Sequence, residues 1–326
     1  MNDKKPLVLI PGSINARVRE RIEATFDCLS IERADAALVP DEKKGRIQAI
    51  ASMTRIDGDF INAFDNLSII ANFGVGYDGI DAVHAALRGV MVTNTPDVLT
   101  DEVADTTIGL ILNTLREYPK AVAHLRAGKW KSEGNYPLTP LTLRGRTAGI
   151  FGLGRIGLAI ARRLEGFDIP IRYHNRSQRQ DISYPYRYEE SLKDLAEAVD
   201  LLICVVPGGE GTEGVIDAEI FRALGPNGVF INVGRGSTVD EPALIEALSS
   251  GTIAAAGLDV FADEPNVPQA LIDLPNACLL PHVASASVAT RNRMADLVFD
   301  NLSAWLAGKP ALTPVPETRS LNRDDD

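Results

Sequence analysis

Arg235, Glu264 and His282 sit in three separate stretches of unusual composition: Asn232-Val233-Gly234-Arg235-Gly236, the run from Gly257 through Asp259 to Glu264-Pro265, and Leu280-Pro281-His282-Val283-Ala284. Each stretch leaves an apolar, strand-like run, and ligands of an open parallel sheet bind outside the carboxyl ends of its strands. An arginine's planar fork pairs with both oxygens of a carboxylate. A histidine gives a proton to a ketone oxygen as hydride arrives, and takes it back in reverse. A carboxylate beside that histidine fixes its tautomer and favours its protonated form. Together the three would reduce a keto acid. Singly, each has an ordinary role: a satisfied histidine at a strand end, a surface arginine in a glycine turn, a solvated carboxylate before proline. Their occurrence together, on a sheet that also carries a dinucleotide turn, is what weighs against those roles.

That turn is Gly152-Leu153-Gly154-Arg155-Ile156-Gly157, which matches GxGxxG. The pattern alone is weak, but here a strand precedes it and an amphipathic helix opens from it. Gly152 permits the tight turn, Gly154 lets the backbone approach a pyrophosphate, and Gly157 brings helix and strand together. The helix N-terminus then favours the diphosphate charge, and Arg155 adds a cation. NAD-binding versions place a carboxylate at the end of the second strand to bond the ribose 2′-hydroxyl. Here that strand ends His174-Asn175-Arg176-Ser177, with Arg172 and Arg179 nearby and no acid. Asn175, Arg176 and Ser177 suit a 2′-phosphate, so NADP(H) is expected over NAD(H), with NAD(H) still usable.

The elements that must position these groups alternate along the chain. Leu7–Ile10, Ala37–Val39, Ile47–Ala51, Ser68–Asn72 and Val90–Thr93 read as strands, with helical stretches at Ile14–Phe26, Gly58–Phe64 and Ile80–Leu87. Thr100 reads as the N-cap of a long helix whose inward residues are Val103, Thr107, Leu110, Ile111, Thr114 and Leu115. Residues 126–146 form an irregular excursion, expected to pack on a second subunit. A second series follows, with strands at Ala148–Gly152, Ile169–His174, Asp200–Val205, Gly228–Val233, Ile253–Leu258 and Ala277–Pro281. Its helices are Arg155–Glu165, Ser191–Val199, Asp217–Leu224 and Glu241–Leu248, and Ser287–Ala307 is a last long helix. Alternation of this kind predicts an α/β fold of two parallel-sheet domains. The tail after Lys309, with three prolines and a closing Asp-Asp-Asp, is expected to be mobile.

At 326 residues the chain suits two domains, and 45% hydrophobic with 24% charged residues is ordinary for a packed globular protein. A net charge of −11 argues against a nucleic-acid partner without excluding a small anionic substrate. Cys28, Cys204 and Cys278 show no paired spacing, and Cys204 and Cys278 lie in apolar runs as expected buried free thiols. Four dispersed histidines predict no metal site. No signal peptide or membrane-length apolar run is read, so a cytoplasmic protein is expected.

In its ordered motifs the chain resembles the D-isomer-specific 2-hydroxyacid dehydrogenase family over nearly its whole length. The motifs are Gly74-Val75-Gly76-Tyr77-Asp78-Gly79-Ile80-Asp81, the glycine turn, Val233-Gly234-Arg235-Gly236-Ser237, the stretch Gly257–Pro265, and Pro281-His282-Val283-Ala284-Ser285. The resemblance implies two Rossmann-like or flavodoxin-like domains, with a dinucleotide domain at 99–285 inserted into a substrate domain made of 1–98 and 286–326. It implies Arg235, Glu264 and His282 as the catalytic set, and Val75 and Gly76 as backbone holders of the substrate carboxylate beside Arg235. Asp259 is placed at the nicotinamide end, with Thr107, Ile156, Val206, Pro207, Val233 and His282 as further cofactor contacts. A homodimer through the dinucleotide domains is implied, and no room is left for an added regulatory domain.

Within the family the likeness is nearest to NADPH-dependent glyoxylate/hydroxypyruvate reductases, with hydroxyphenylpyruvate reductases close by. The run Pro207-Gly208-Gly209-Glu210-Gly211 departs from the usual Pro-Leu-Thr type and puts the grip near the adenosine in doubt. The expected reaction is hydride transfer to a small 2-keto acid. Its rivals are an NAD-dependent dehydrogenase oxidising D-lactate or a similar acid, and a dinucleotide-sensing binding protein of the family's corepressor branch. Met53, Thr54, Phe73 and Trp130 are positional candidates for the substrate pocket, and core packing is the alternative for each.

Overall fold

A computed structural model describes residues 5–181 and 184–323. Residues 1–4 and the closing Asp324-Asp325-Asp326, part of the tail expected to be mobile, lie outside the described residues. The chain divides into two compact units, Met1–Leu99 with Ser287–Asp326, and Thr100–Ala286. Both are α/β units built on a parallel sheet.

In the first unit the strands are β1 (Leu7–Pro11), β2 (Asp27–Ile31), β3 (Ile47–Ser52), β4 (Ile69–Asn72) and β5 (Met91–Thr93), in the order β2-β1-β3-β4-β5. Every residue of β1, β4 and β5 is buried, as continuous apolar runs covered on both faces must be. Leu9, Ile50, Ile70 and Val92 join Phe60, Phe64 and Val315 in one core. Two expectations fail here. Ala37–Val39 is not a strand: Ala36–Leu38 is a 3-10 turn started by the Asp35 side chain accepting from Ala37 N. The strand instead is β2, partly buried at the sheet edge, where Asp27 and Ser30 break up its apolar residues and hide its pattern.

The tail after Lys309 is also packed over its described part. Pro316–Leu321 forms a 3-10 helix, Val315 N donates to Val92 O, and the buried Thr318 hydroxyl bonds both Val92 N and Val92 O at 3.1 Å. Ala311 and Val315 are apolar anchors in the core, which offset the ordering cost of a proline-rich segment.

The second unit holds β6 (Ala148–Phe151), β7 (Ile171–His174), β8 (Arg187–Tyr188), β9 (Leu201–Cys204), β10 (Val229–Asn232), β11 (Ala255–Leu258) and β12 (Ala277–Leu279). They order as β12-β11-β10-β9-β6-β7-β8, so the direction of strand addition reverses between β6 and β9, where an open sheet leaves its crevice. The two-residue β8 and the helix Gln269–Ile272 are too short to show in the sequence pattern. The helix Thr100–Arg116 turns Val103, Thr107, Leu110, Ile111, Thr114 and Leu115 inward. Thr100 is its first residue and not the cap.

A helix at Tyr118–Arg126 leads into the excursion, which holds one short helix, Lys129–Ser132, and is then irregular. Leu125 on the preceding helix, and Trp130 and Leu138 along the excursion, stand 56%, 61% and 98% exposed. Cys204 is buried, but Cys28 and Cys278 are only partly so, which corrects the expectation for Cys278.

Candidate active site

The glycine turn is shaped by contacts that exclude side chains. Gly152 has φ +101°, and a Cβ there would meet Val206 Cγ1 at 2.8 Å. A Cβ on Gly157 would lie 2.3 Å from Gly152 O. Around Gly154, by contrast, a Cβ meets nothing within 4 Å: the glycine leaves open space over the backbone. The helix Arg155–Glu165 begins there without a side-chain cap, and the amides of Ile156 and Gly157 donate to no protein acceptor among the described residues. Uncapped first-turn amides beneath open space form an anion cradle, and they fit a dinucleotide pyrophosphate.

At the end of β7 the expected 2′-phosphate residues divide. Asn175 Oδ1 accepts the Leu153 amide at 2.7 Å, so Asn175 ties the strand end to the glycine turn. Arg176 and Ser177 are exposed and make no hydrogen bond or ion pair among the described residues. Arg179 donates to Leu153 O at 3.0 Å and holds Asp181 through Nε and Nη2, while Arg172 is committed to Glu189. Among the described residues at this strand end, Arg176 is thus the arginine that makes no hydrogen bond or ion pair.

At the far strand ends the backbone is locked more tightly. Asn232, fully buried at the end of β10, accepts from Gly234 N at 3.0 Å and donates to Arg235 O at 2.9 Å. Thr238 Oγ1 donates to the same Arg235 carbonyl at 2.6 Å. A Cβ on Gly236 would fall 1.8 Å from the Phe261 carbonyl carbon, so only glycine lets the Arg235 turn lie against the segment that carries Glu264. The Arg235 guanidinium donates to Gly234 O, and its charge helps lower the Glu264 carboxyl.

His282 adopts φ +52°, a left-handed conformation that costs a non-glycine residue free energy and must be imposed by its surroundings. The imposing group is Asp259, 1% exposed, whose two oxygens accept Val283 N at 2.7 Å and Ala284 N at 2.9 Å. Thr106 on the long helix then donates to Ala284 O. Burial pushes the Asp259 carboxyl up; the two amides and the His282 charge pull it down without cancelling that rise. Asp259, expected at the nicotinamide end, therefore spends both oxygens on the loop that presents His282.

The imidazole Nδ1 of His282 lies 2.7 Å from Glu264 Oε2, and Phe261 N donates to Glu264 Oε1. Burial pushes the Glu264 carboxyl up, but the His282 hydrogen bond, the Phe261 amide and the charges of His282 and Arg235 outweigh it, leaving its pKa below the ordinary value. An ionised Glu264 only accepts, which puts the shared proton on Nδ1. Nε2 then has no protein partner among the described residues, on a side chain 47% exposed.

Other expected contacts sit deeper. Thr107, expected as a cofactor contact, is fully buried, and its hydroxyl donates to Val103 O. Val206 and Val233 are buried, Val206 being wedged against Gly152 and Gly234, while Pro207 is exposed, its carbonyl accepting from Thr212 Oγ1.

In the first unit, Val75 and Gly76 lie in the loop after β4, and their amides donate to no protein acceptor among the described residues. Phe73 is a core residue, 5% exposed, which corrects its candidacy for the pocket; Met53 and Trp130 are exposed and Thr54 half-buried. Sequence reasoning missed Asn72, Asn94, Thr106 and Asn232, whose roles are all hydrogen bonds to backbone. Of these only Asn232, beside a recognised motif, carried any signal.

Among the described residues no group of His, Cys, Asp and Glu could hold a metal ion, and no helix is long and apolar enough to cross a membrane.

Comparison with known proteins agrees with this geometry. Residues 108–284 match the model of the D-isomer specific 2-hydroxyacid dehydrogenase, NAD binding domain. Glyoxylate/hydroxypyruvate reductase A of Arabidopsis thaliana is 42% identical over 311 residues, covering 94% of this chain and 98% of that one. Hydroxyphenylpyruvate reductase of Plectranthus scutellarioides is 49% identical over 259 residues, covering 79% and 82%. Among solved structures, an NADPH-dependent glyoxylate/hydroxypyruvate reductase from Sinorhizobium meliloti, in complex with NADP and malonate, is 57% identical. It has a TM-score of 0.95 and covers 99% of this chain and 100% of its own.

Proposed function

The chain belongs to the D-isomer specific 2-hydroxyacid dehydrogenase family, and from that premise we propose that it is an NADPH-dependent reductase of small 2-keto acids, of the glyoxylate and hydroxypyruvate type, yielding D-2-hydroxy acids. One contact supports this reading above the rest: the His282–Glu264 couple at 2.7 Å, with Nε2 left to face a substrate.

The chemistry asked of the dinucleotide, when bound, is delivery of hydride to the keto carbon. Gly152, Gly154, Arg155, Ile156 and Gly157 are the proposed pyrophosphate cradle. Arg176 and Ser177 are the proposed 2′-phosphate partners, with Asn175 joining the two segments. His282 holds the proton destined for the carbonyl oxygen at Nε2, and Glu264 fixes its tautomer through Nδ1. Arg235 pairs with the substrate carboxylate and polarises the carbonyl. In the first unit the amides of Val75 and Gly76 are the proposed carboxylate donors. Asp259 acts through the backbone of the His282 loop.

A second copy of the chain is the proposed partner of the exposed apolar side chains Leu125, Trp130 and Leu138, and the cytoplasm the proposed compartment. A homodimer predicts that light scattering gives twice the chain mass and that Leu138→Asp lowers it.

Initial rates with glyoxylate, hydroxypyruvate and phenylpyruvate, each with NADPH and NADH, test the proposal, with chiral analysis of the product. Fast NADPH-dependent formation of D-glycerate from hydroxypyruvate is expected. Preference for phenylpyruvate would favour a reading toward aromatic keto acids, to which the 49% identical hydroxyphenylpyruvate reductase points. Inactivity with all three acids, or an L-product, would overturn the proposal.

A further inference from the structure

We propose that Asn72 and Asn94 are positioning residues that aim the amides of the Val75–Gly76 loop at the substrate carboxylate; this rests on the function proposed above. Asn72, at the end of β4 and 7% exposed, donates through Nδ2 to Gly74 O at 3.1 Å and to Gly76 O at 2.9 Å. Asn94 Nδ2 donates to the intervening carbonyl, Val75 O, at 2.7 Å. Thr95 N donates to Gly74 O as well.

Three successive carbonyls are therefore held by protein donors. A peptide unit is planar and trans, so a carbonyl drawn one way sends the next residue's N–H the other. Fixing the carbonyls of Gly74, Val75 and Gly76 thus orients the amides of Val75, Gly76 and Tyr77. None of those amides donates to a protein acceptor among the described residues. Successive unpartnered amides make a concavity for an anion, and neutral asparagine donors stiffen it without adding a competing negative charge. The space around Gly74 is closed by the same clamp: a Cβ there would sit 3.3 Å from Asn72 Nδ2 and from Gly76 O.

Asn94 is itself anchored from the chain's other end. Thr313 Oγ1 donates to Asn94 O at 2.7 Å, and Asn301, fully buried on the helix Val288–Leu306, exchanges two hydrogen bonds with Thr313. The clamp thus spans segments far apart in sequence.

The test compares wild type with Asn72→Ala and Asn94→Ala, and with the near-isosteric Asn94→Asp should an alanine variant fold poorly. Hydroxypyruvate kinetics, oxalate affinity by calorimetry and NADPH affinity are read on each. Expected is a rise of about tenfold or more in KM and in the oxalate Kd, with kcat at saturation and NADPH affinity within about twofold, because the amides so aimed bind the carboxylate equally in ground and transition states. An active wild type whose variants keep KM and oxalate affinity, with or without a lower Tm, overturns the clamp and leaves the function standing. A wild type that reduces no keto acid but whose oxalate affinity falls in the variants overturns the function and keeps the clamp. A wild type that does neither overturns both.

Discussion

The loop that carries His282 and the loop that carries Arg176 both leave strand ends of one sheet, yet they are built in opposite ways. His282 is forced into a left-handed backbone by a buried carboxylate, held by Glu264 through its ring, and tied to the long helix through Ala284. Arg176 and Ser177 are exposed side chains with no hydrogen bond or ion pair among the described residues; beside them Asn175 and Arg179 are fastened to the glycine turn through Leu153. The contrast fits the tasks proposed for the two loops. Proton transfer needs a donor fixed to a fraction of an ångström, so backbone strain is worth imposing there. Choosing between two dinucleotides needs only a charge within reach, which the fold can carry on a side chain without adjusting anything else.

The largest expected effect falls on the rigid loop. His282→Ala should lower kcat for hydroxypyruvate by roughly 10²–10⁴-fold, while NADPH affinity, read by nicotinamide fluorescence, stays near wild type. A parallel loss of NADPH binding would break the comparison, because the loop would then be shaping the cofactor site as well. On the open loop, Arg176→Ala should weaken NADPH binding by about tenfold or more and leave NADH unchanged, as loss of a charge-assisted bond to phosphate requires. Equal losses with both cofactors would show that the loop supports the fold after all.

The smallest effect is on stability. Glu264 has a depressed carboxyl pKa in the fold, so its stabilising contribution is fully present above the ordinary value of 4.5 and is lost as pH falls through the lower folded value. The side chain is 36% exposed and solvent screens the contribution. Melting temperatures of wild type and Glu264→Gln should accordingly differ slightly at pH 7 and converge as the pH falls through the depressed folded value. A gap that widens on acidification would contradict the depressed pKa.

What could be read in advance follows from how local each signal is. The buried strands are largely apolar runs, and the glycine turn and the polar strand ends are short motifs, so the two-sheet architecture and the candidate site's side chains were legible in the residues. β2 was not, because at the sheet edge Asp27 and the exposed Ser30 interrupt a short, partly buried apolar run. Nor was the packed tail, whose composition suggests mobility until Thr318 is seen paired with Val92. Asn72 could be seen only as an apolar strand's last residue, and Asn94 only as part of a loop, because the carbonyls they hold come together through the fold. Asp259 shows a further limit: its motif marked it as important, while its hydrogen bonds show that it serves the His282 loop.

The central claim is that Glu264 works through His282 as one proton-handling unit, and a double-variant cycle on hydroxypyruvate kcat/KM tests it most directly. Glu264→Gln is expected to cost about tenfold or more in the wild-type background and almost nothing in His282→Ala. Equal, additive losses in both backgrounds would contradict it.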